Sequence, residues 1–183
     1  MSGSDQPSHA VEFFEDDETL YRSLTTFALP ALMQNRGVLL VVTAEHGSFI
    51  EHHFSKRGLD VLGLQDRGQL RIVDASELLA SFMNQTTPDA ERFLDSVGSI
   101  VRKMESQFDK VLIYGEMVDL LWTENNHHAA LELESLWNDL GQTHEFTLLC
   151  GYHQDAFTGS ENDVAFRRVC AAHTHVVRGG LTL

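Results

Sequence analysis

Cysteine, proline and basic residues are all scarce in this sequence of 183 residues. The two cysteines, Cys150 and Cys170, lie in apolar segments, which is typical of reduced thiols in a cytoplasmic protein. Three prolines and no Pro- or Gly-rich linker favour a single domain. No apolar run reaches the ~18 residues that cross a membrane. The polar start at residues 1–8 also lacks the build of a secretory signal, so we predict a cytoplasmic location.

Positive charge is scarce as well, because 13 Lys and Arg stand against 27 Asp and Glu, for a net charge of −14. Such a surface repels the phosphates of nucleic acids and of anionic lipids. We therefore expect no direct nucleic-acid partner and no membrane partner. The ordinary interpretation is a solvated bacterial surface, and the alternative is an acidic face for a basic protein. The ten histidines could remove part of the charge near about pH 6.

Apolar runs alternate with segments of helical periodicity along the chain. The runs predict strands over residues 38–42, 70–73, 111–114 and 146–150, a short edge strand at 9–14 and a last one at 175–177. Helices are predicted between them, including one capped by Asp74, one with Pro88 at its first position, one over 126–140 and one that Gly37 ends. Strands joined by helical crossovers predict an α/β fold, a three-layer α/β/α sandwich with a mostly parallel central sheet.

We expect a disordered N-terminus over residues 1–8, one domain over 9–178 and a C-terminal tail over 179–183. The order of the strands in the sheet is not predicted by these patterns.

Ligands of open α/β sheets bind beyond the carboxyl ends of the strands. A P-loop after the first core strand would read G-x-x-x-x-G-K-[ST], but residues 43–48 hold one glycine, no lysine and an acid, which disfavours phosphate binding. The third core strand ends in Glu116 and Met117, and Trp122 follows. Glu116 either binds a ligand or pairs with a neighbouring group, because a desolvated carboxylate needs a donor. Met117 and Trp122 either line a pocket or pack in the core, and Tyr152 is either a donor or an aromatic plug.

Histidines are numerous, yet their spacing matches no strong zinc pattern. Adjacent histidines on a helix point about 100° apart and are poor chelators. If a metal is bound, the sequence favours a set made of Cys150, His153, His173 and His175. No nucleophile elbow and no reactive-cysteine signature is present. We therefore predict no catalytic residues, no metal and no cofactor.

Five motifs, in order along the chain, resemble those of one protein family. They are HAVEFFEDD at residues 9–17, GEMVDLLW at 115–122, LELESLWN at 131–138, FTLLCGY at 146–152 and CAAHTHVV at 170–177. Together they resemble the MEDS domain, the methanogen/methylotroph, DcmR-type sensory domain. The resemblance implies a sensory module of prokaryotic signal transduction, with a RecA/KaiC-like fold that lacks the P-loop.

The resemblance also implies which positions belong to the family motifs, namely His9, Phe13, Glu116, Trp122, Glu132, Cys150 and Tyr152. One departure is His153, which stands where the motif would have proline. No helix-turn-helix or kinase segment is attached, so we expect output through a separate partner.

We therefore predict a non-enzymatic sensory domain that binds a small molecule and signals to a histidine kinase or a transcriptional regulator, as in two-component systems. A hydrocarbon derivative is one candidate ligand, and a homodimer is left open. The predicted ligand-binding residues are Glu116, Met117, Trp122, Tyr152, His9, Phe13 and His46. One alternative is a ligand-free interaction module for the same class of partner. The other is a metalloprotein or an enzyme.

Overall fold

The computed structural model describes residues 8–157, 163–178 and 181–182. The strands are β1 (Ser8–Phe14), β2 (Gly37–Val42), β3 (Leu70–Asp74), β4 (Met83–Asn84), β5 (Thr87–Pro88), β6 (Val111–Gly115), β7 (Phe146–His153), β8 (His175–Arg178) and β9 (Leu181–Thr182). The helices are α1 (Asp17–Met33), α2 (Ala44–Lys56), α3 (Val61–Asp66), α4 (Ala75–Phe82), α5 (Ala90–Phe93), α6 (Ser99–Glu105), α7 (Met117–Thr123), α8 (His127–Leu140) and α9 (Asp163–Ala172). A π-helical segment, Leu94–Gly98, joins α5 to α6, and a 3-10 turn, Gln154–Phe157, follows β7.

Seven strands form the central sheet in the order β3-β2-β6-β7-β1-β8-β9. Every neighbouring pair is parallel except β8 with the two-residue β9. The strands β4 and β5 form a separate antiparallel pair. The prediction of a mostly parallel α/β sheet is confirmed.

Helices cover both faces of the sheet, which gives the three layers expected from the sequence. One core packs α1, α2 and α3 against side chains such as Val38 and Leu40 of β2. The other packs α4 to α9 against the opposite face, where Leu39 and Val41 point. The strand β2 is buried on both faces, which is why its sequence is a continuous aliphatic run rather than an alternating one.

Three local predictions are wrong. β1 is an inner strand that pairs with β7 and β8, because β8 is supplied from the far end of the chain. Pro88 lies in β5, and Asp89 instead caps α5 by accepting a hydrogen bond from the backbone N–H of Arg92. Gly37 begins β2, because α1 already ends at Met33.

The predicted start of α4 is confirmed, since the carboxylate of Asp74 accepts a hydrogen bond from the backbone N–H of Glu77 at 2.8 Å. The prediction of a disordered N-terminus falls on residues 1–7, which lie outside the described residues, and on Ser8, which opens β1. Within the predicted C-terminal tail, Leu181–Thr182 forms β9. Among the helices of the described ranges, none has both the length and the apolarity to cross a bilayer.

Candidate functional site

The carboxyl ends of β2 and β6 lie side by side and carry the first polar cluster. A single residue, Thr43, connects β2 to α2, and its hydroxyl caps the helix by accepting from the backbone N–H of His46. Glu116 directly follows β6, and its backbone N–H donates to the carbonyl of Val41 at 2.9 Å. This bond places the Glu116 side chain at the N-terminus of α2.

Glu116 is 2% exposed, and its carboxylate accepts hydrogen bonds from other groups of the protein. It accepts from the backbone N–H of Thr43 at 3.0 Å, and Nδ1 of His46 lies 2.9 Å from both of its oxygens. The hydrogen bond to Glu116 raises the pKa of His46 above its ordinary value, despite the opposing effect of burial. The other ring nitrogen, Nε2, lies 3.6 Å from Asp17.

An internal acid therefore occupies the end of α2 that would otherwise attract an anion. The connection of one residue leaves no length for a phosphate-binding loop at this place.

A cleft of about 510 Å³ lies beyond the carboxyl ends of β6 and β7. It is lined by Asp119, Trp122, Thr123, Asn125, His127, His153, Asp155 and Ala156. The indole of Trp122 is held by contacts on several sides. Its N–H donates to the carbonyl of Ala156 at 3.3 Å, and its ring stacks on His127 and Phe157 at centroid distances of 4.3 and 4.8 Å. The cleft thus has a packed indole, itself only 2% exposed, on one side and a polar rim.

Asp119 and His153 form the polar side of this cleft. The Asp119 carboxylate accepts from the backbone N–H of His153 at 2.9 Å, and burial raises the pKa of Asp119. Proline has no N–H and could not donate this bond. The backbone N–H of His153 therefore anchors Asp119 by a bond that proline at this position would remove.

A second polar cluster is buried where β7 pairs with β1, on the side of β7 away from β6. It is made of His9 on β1, Glu134 on α8, Cys150 on β7 and His173 just after α9, and the candidate ligand atoms of these four residues all lie within 4.8 Å of one another. Oε2 of Glu134 lies 3.1 Å from Nε2 of His9, 3.3 Å from Nε2 of His173 and 3.5 Å from Sγ of Cys150. Sγ of Cys150 also lies 3.3 Å from Nε2 of His9.

Glu134 carries a negative charge in this second cluster. Burial raises the pKa of this carboxyl, but the adjacent His173 and His9 imidazoles outweigh burial and lower it to about 2. The hydroxyl of Tyr152 donates to the other oxygen, Oε1, at 2.7 Å. Burial raises the pKa values of Cys150 and Tyr152 well above their ordinary values.

The structure distributes the seven predicted ligand-binding residues over several places. Glu116 and His46 form one pair, Trp122 lines the cleft, and His9 and Tyr152 belong to the buried cluster. The last two, Met117 and Phe13, pack in the core beside them. Which of these residues bind a ligand stays a prediction.

The metal-ligand set favoured from the sequence is corrected by the structure. Cys150 and His173 lie in the buried cluster, but His153 lines the cleft and His175 is an exposed residue of β8. Sequence reasoning missed Glu134, although a signal was present. Glu134 lies on the same stripe of α8 as Ala130, Leu133 and Trp137, and an acid on a buried stripe requires a partner.

The model of the MEDS family, described as the MEthanogen/methylotroph, DcmR Sensory domain, matches residues 8–174. The chain belongs to the MEDS family. Membership indicates a sensory or signalling role.

Among solved structures, this MEDS chain is similar to a KaiC-like protein from the hyperthermophilic archaeon Pyrococcus horikoshii OT3. The identity is 11%, the TM-score is 0.60, and the match covers 93% of this chain and 71% of that one. At this identity the likeness shows a RecA-like fold and no more. No match was found among curated proteins.

Proposed function

We propose that this MEDS domain is a non-enzymatic, cytoplasmic sensor that binds a small, partly apolar molecule in the cleft beside Trp122. The observation that carries the proposal is the cleft itself, which has a volume of about 510 Å³ and lies at the carboxyl ends of the strands, where open α/β sheets commonly bind their ligands. Pockets for small molecules commonly measure ~300–1,000 Å³ and combine apolar walls with a few polar groups. A hydrocarbon derivative with one hydrogen-bonding group matches this lining.

The residues that line the cleft would contact different parts of such a ligand. The indole of Trp122 and the side chain of Ala156 would contact its apolar part. Asp119 and His153, which are already joined by a hydrogen bond, would meet its polar group. The carboxylate of Glu116 would not contact the ligand, because it is already bonded to the backbone N–H of Thr43 and to the His46 ring.

The helix α7 would transmit binding to the rest of the domain. It carries Asp119 and Trp122 on the cleft, and its first turn is held by a bond from the Asp119 N–H to the Glu116 carbonyl at 3.0 Å. A ligand that favours one position of α7 would therefore also bias the Glu116–His46 pair and the start of α2. A histidine kinase or a transcriptional regulator would recognise the altered surface.

The two tryptophans of the chain allow a direct test, because Trp137 is buried away from the cleft. In a Trp137→Phe variant, fluorescence reports on Trp122 alone. We would titrate this variant with short halogenated alkanes, alcohols, thiols and methylated amines, and follow thermal stability in parallel. We expect at least one compound to change the Trp122 signal and raise the melting temperature.

Variants of the cleft then identify the site. Asp119→Asn and His127→Ala should weaken binding of that compound, whereas Ser135→Ala, which lies in a different surface depression, should leave it unchanged. A compound that stabilises all these variants equally binds elsewhere and contradicts the proposal.

A ligand-free interaction module is the second candidate, favoured by the net charge of −14. A partner recognised through this charge would be basic, and its affinity would fall as salt is raised. Pull-down from the native cell extract at low and high salt tests this candidate. Capture that is insensitive to salt would count against it.

A further inference from the structure

The buried cluster of His9, Glu134, Cys150 and His173 has the dimensions of a metal site. In a tetrahedral zinc site, bonds of ~2.1 Å to nitrogen or oxygen and ~2.3 Å to sulfur place the ligand atoms about 3.4–3.6 Å apart. The four separations given above run from 3.1 to 3.5 Å, and the remaining ones do not exceed 4.8 Å. A metal ion would need only small shifts of these side chains.

The second nitrogen of each histidine has an oxygen as its partner, which aims the other nitrogen at the cluster. Nδ1 of His173 lies 2.7 Å from the carbonyl of Val169, so it must be the protonated nitrogen. Nδ1 of His9 lies 2.9 Å from Oδ1 of Asn138, whose amide nitrogen donates in turn to the carbonyl of Ala172. In the neutral rings both Nε2 atoms therefore carry lone pairs, as the second shell of a metal site requires.

One nitrogen of the cluster lacks a well-aligned hydrogen bond. Nε2 of His173 has no hydrogen-bond partner, although the side chain is 0% exposed and Oε2 of Glu134 lies 3.3 Å away. With both rings neutral, the lone pairs of His173 and His9 face a carboxylate oxygen and a sulfur in a site shielded from water. Such a set of acceptors requires positive charge, which either protons on the imidazoles or a bound metal ion would supply.

We propose that His9, Glu134, Cys150 and His173 bind one transition-metal ion, and that the ion is Zn²⁺. Two imidazoles, a thiolate and a carboxylate are all ligands that zinc accepts, and four protein ligands make a closed, structural site. Binding would release the proton of the Cys150 thiol to solvent. The hydroxyl of Tyr152 would hold Oε1 of Glu134, leaving Oε2 for the metal.

The position of the site gives it a consequence for the fold. Its ligands come from β1, β7, α8 and the turn between α9 and β8. The N–H of Thr174 already bonds to the carbonyl of His9. Zinc would add a second connection between the last part of the chain and the core.

The first experiment measures metal in the protein purified without a histidine tag. Elemental analysis should find a stoichiometric amount of zinc. Removing it with a chelator should lower the melting temperature, and adding Zn²⁺ should restore it. Since this comparison uses one unmodified chain, it does not depend on how well a variant folds.

Matched variants locate the ion. Cys150→Ser and His173→Ala should lose stoichiometric zinc, whereas Cys170→Ser and His175→Ala should retain it. Asn138→Ala, which removes only the partner of His9, should weaken zinc binding about 10–100-fold. Replacement by Co²⁺ should give a thiolate charge-transfer band that is absent in Cys150→Ser, with far-UV circular dichroism to check that this variant is folded.

Two results would overturn the proposal. The first is that the untagged protein contains no zinc and that neither Zn²⁺ nor Co²⁺ changes its melting temperature or its spectrum. Protons on the imidazoles, rather than a metal ion, would then hold the cluster together. The other is zinc binding that persists unchanged in folded Cys150→Ser and His173→Ala, which would place the ion elsewhere.

Discussion

Replacing Glu116 by glutamine removes the negative charge of this side chain at the edge of the sheet and leaves its shape nearly unchanged. Glutamine retains an oxygen that can accept from the backbone N–H of Thr43, but it carries no charge to pair with His46. A hydrogen bond to a charged group contributes about 1.5–3 kcal/mol to stability. Glu116→Gln should therefore lower the free energy of unfolding by about this amount at pH values near about 6, where His46 is protonated.

This loss should depend on pH with a defined sign. The bond to Glu116 raises the pKa of His46 in the folded state above the ordinary value of 6.5. The folded state then binds the proton more tightly, so the contribution is complete below the unfolded pKa and is lost as pH rises through the folded pKa. The difference in the free energy of unfolding between the wild type and Glu116→Gln should therefore be largest below the ordinary pKa of 6.5 and should shrink as pH rises through the raised pKa of His46 in the folded state.

Urea unfolding, followed by tryptophan fluorescence, measures the difference in the free energy of unfolding between the wild type and Glu116→Gln at each pH. In thermal scans, a loss of ~1.5–3 kcal/mol in a chain of this size corresponds to a fall of about 3–12 °C. Glu116→Gln in a His46→Gln background is the control, because there the pH dependence of the difference should vanish. A difference that is constant with pH, or one that grows as pH rises, would refute the assigned pairing.

Two further changes test the packing and capping that position the site. Gly151→Ala should destabilise the fold by about 1–3 kcal/mol in urea unfolding, because the added Cβ would lie 2.7 Å from Cζ of the buried Tyr114 ring. Gly115→Ala is the matched control, since its Cβ would meet nothing within 4 Å, and an equal cost for both would contradict this account. Asp74→Ala should cost about 0.5–2 kcal/mol by removing the cap on the N–H of Glu77, and Asp74→Asn should recover most of that loss.

Local patterns in the sequence predicted most elements of the fold. The aliphatic run at residues 38–42 and the stripe of α8 correspond to a strand buried on both faces and an amphipathic helix. The errors at β1 and Pro88 have one origin. Whether a strand is inner or edge, and whether a short segment joins a hairpin, depends on partners elsewhere in the chain.

The candidate sites were less predictable than the fold. Glu116 was identified because its position after β6 follows from the chain order, and its partner His46 was named from the segment after β2. The buried cluster was only half identified. Cys150 and His173 were considered, but His153 and His175 stood in place of the true neighbours, because proximity in sequence is a poor guide to proximity across a sheet.

By itself, the sequence determined the alternation of strands and helices, the family and the acidic surface, because these depend on residue types and their local spacing. Tertiary structure alone decided which polar groups meet. His9 reaches Cys150, 141 positions away, because β1 inserts between β7 and β8, and Glu134 reaches both because α8 packs over that part of the sheet. The order of strands depends on long-range packing, which no local pattern encodes.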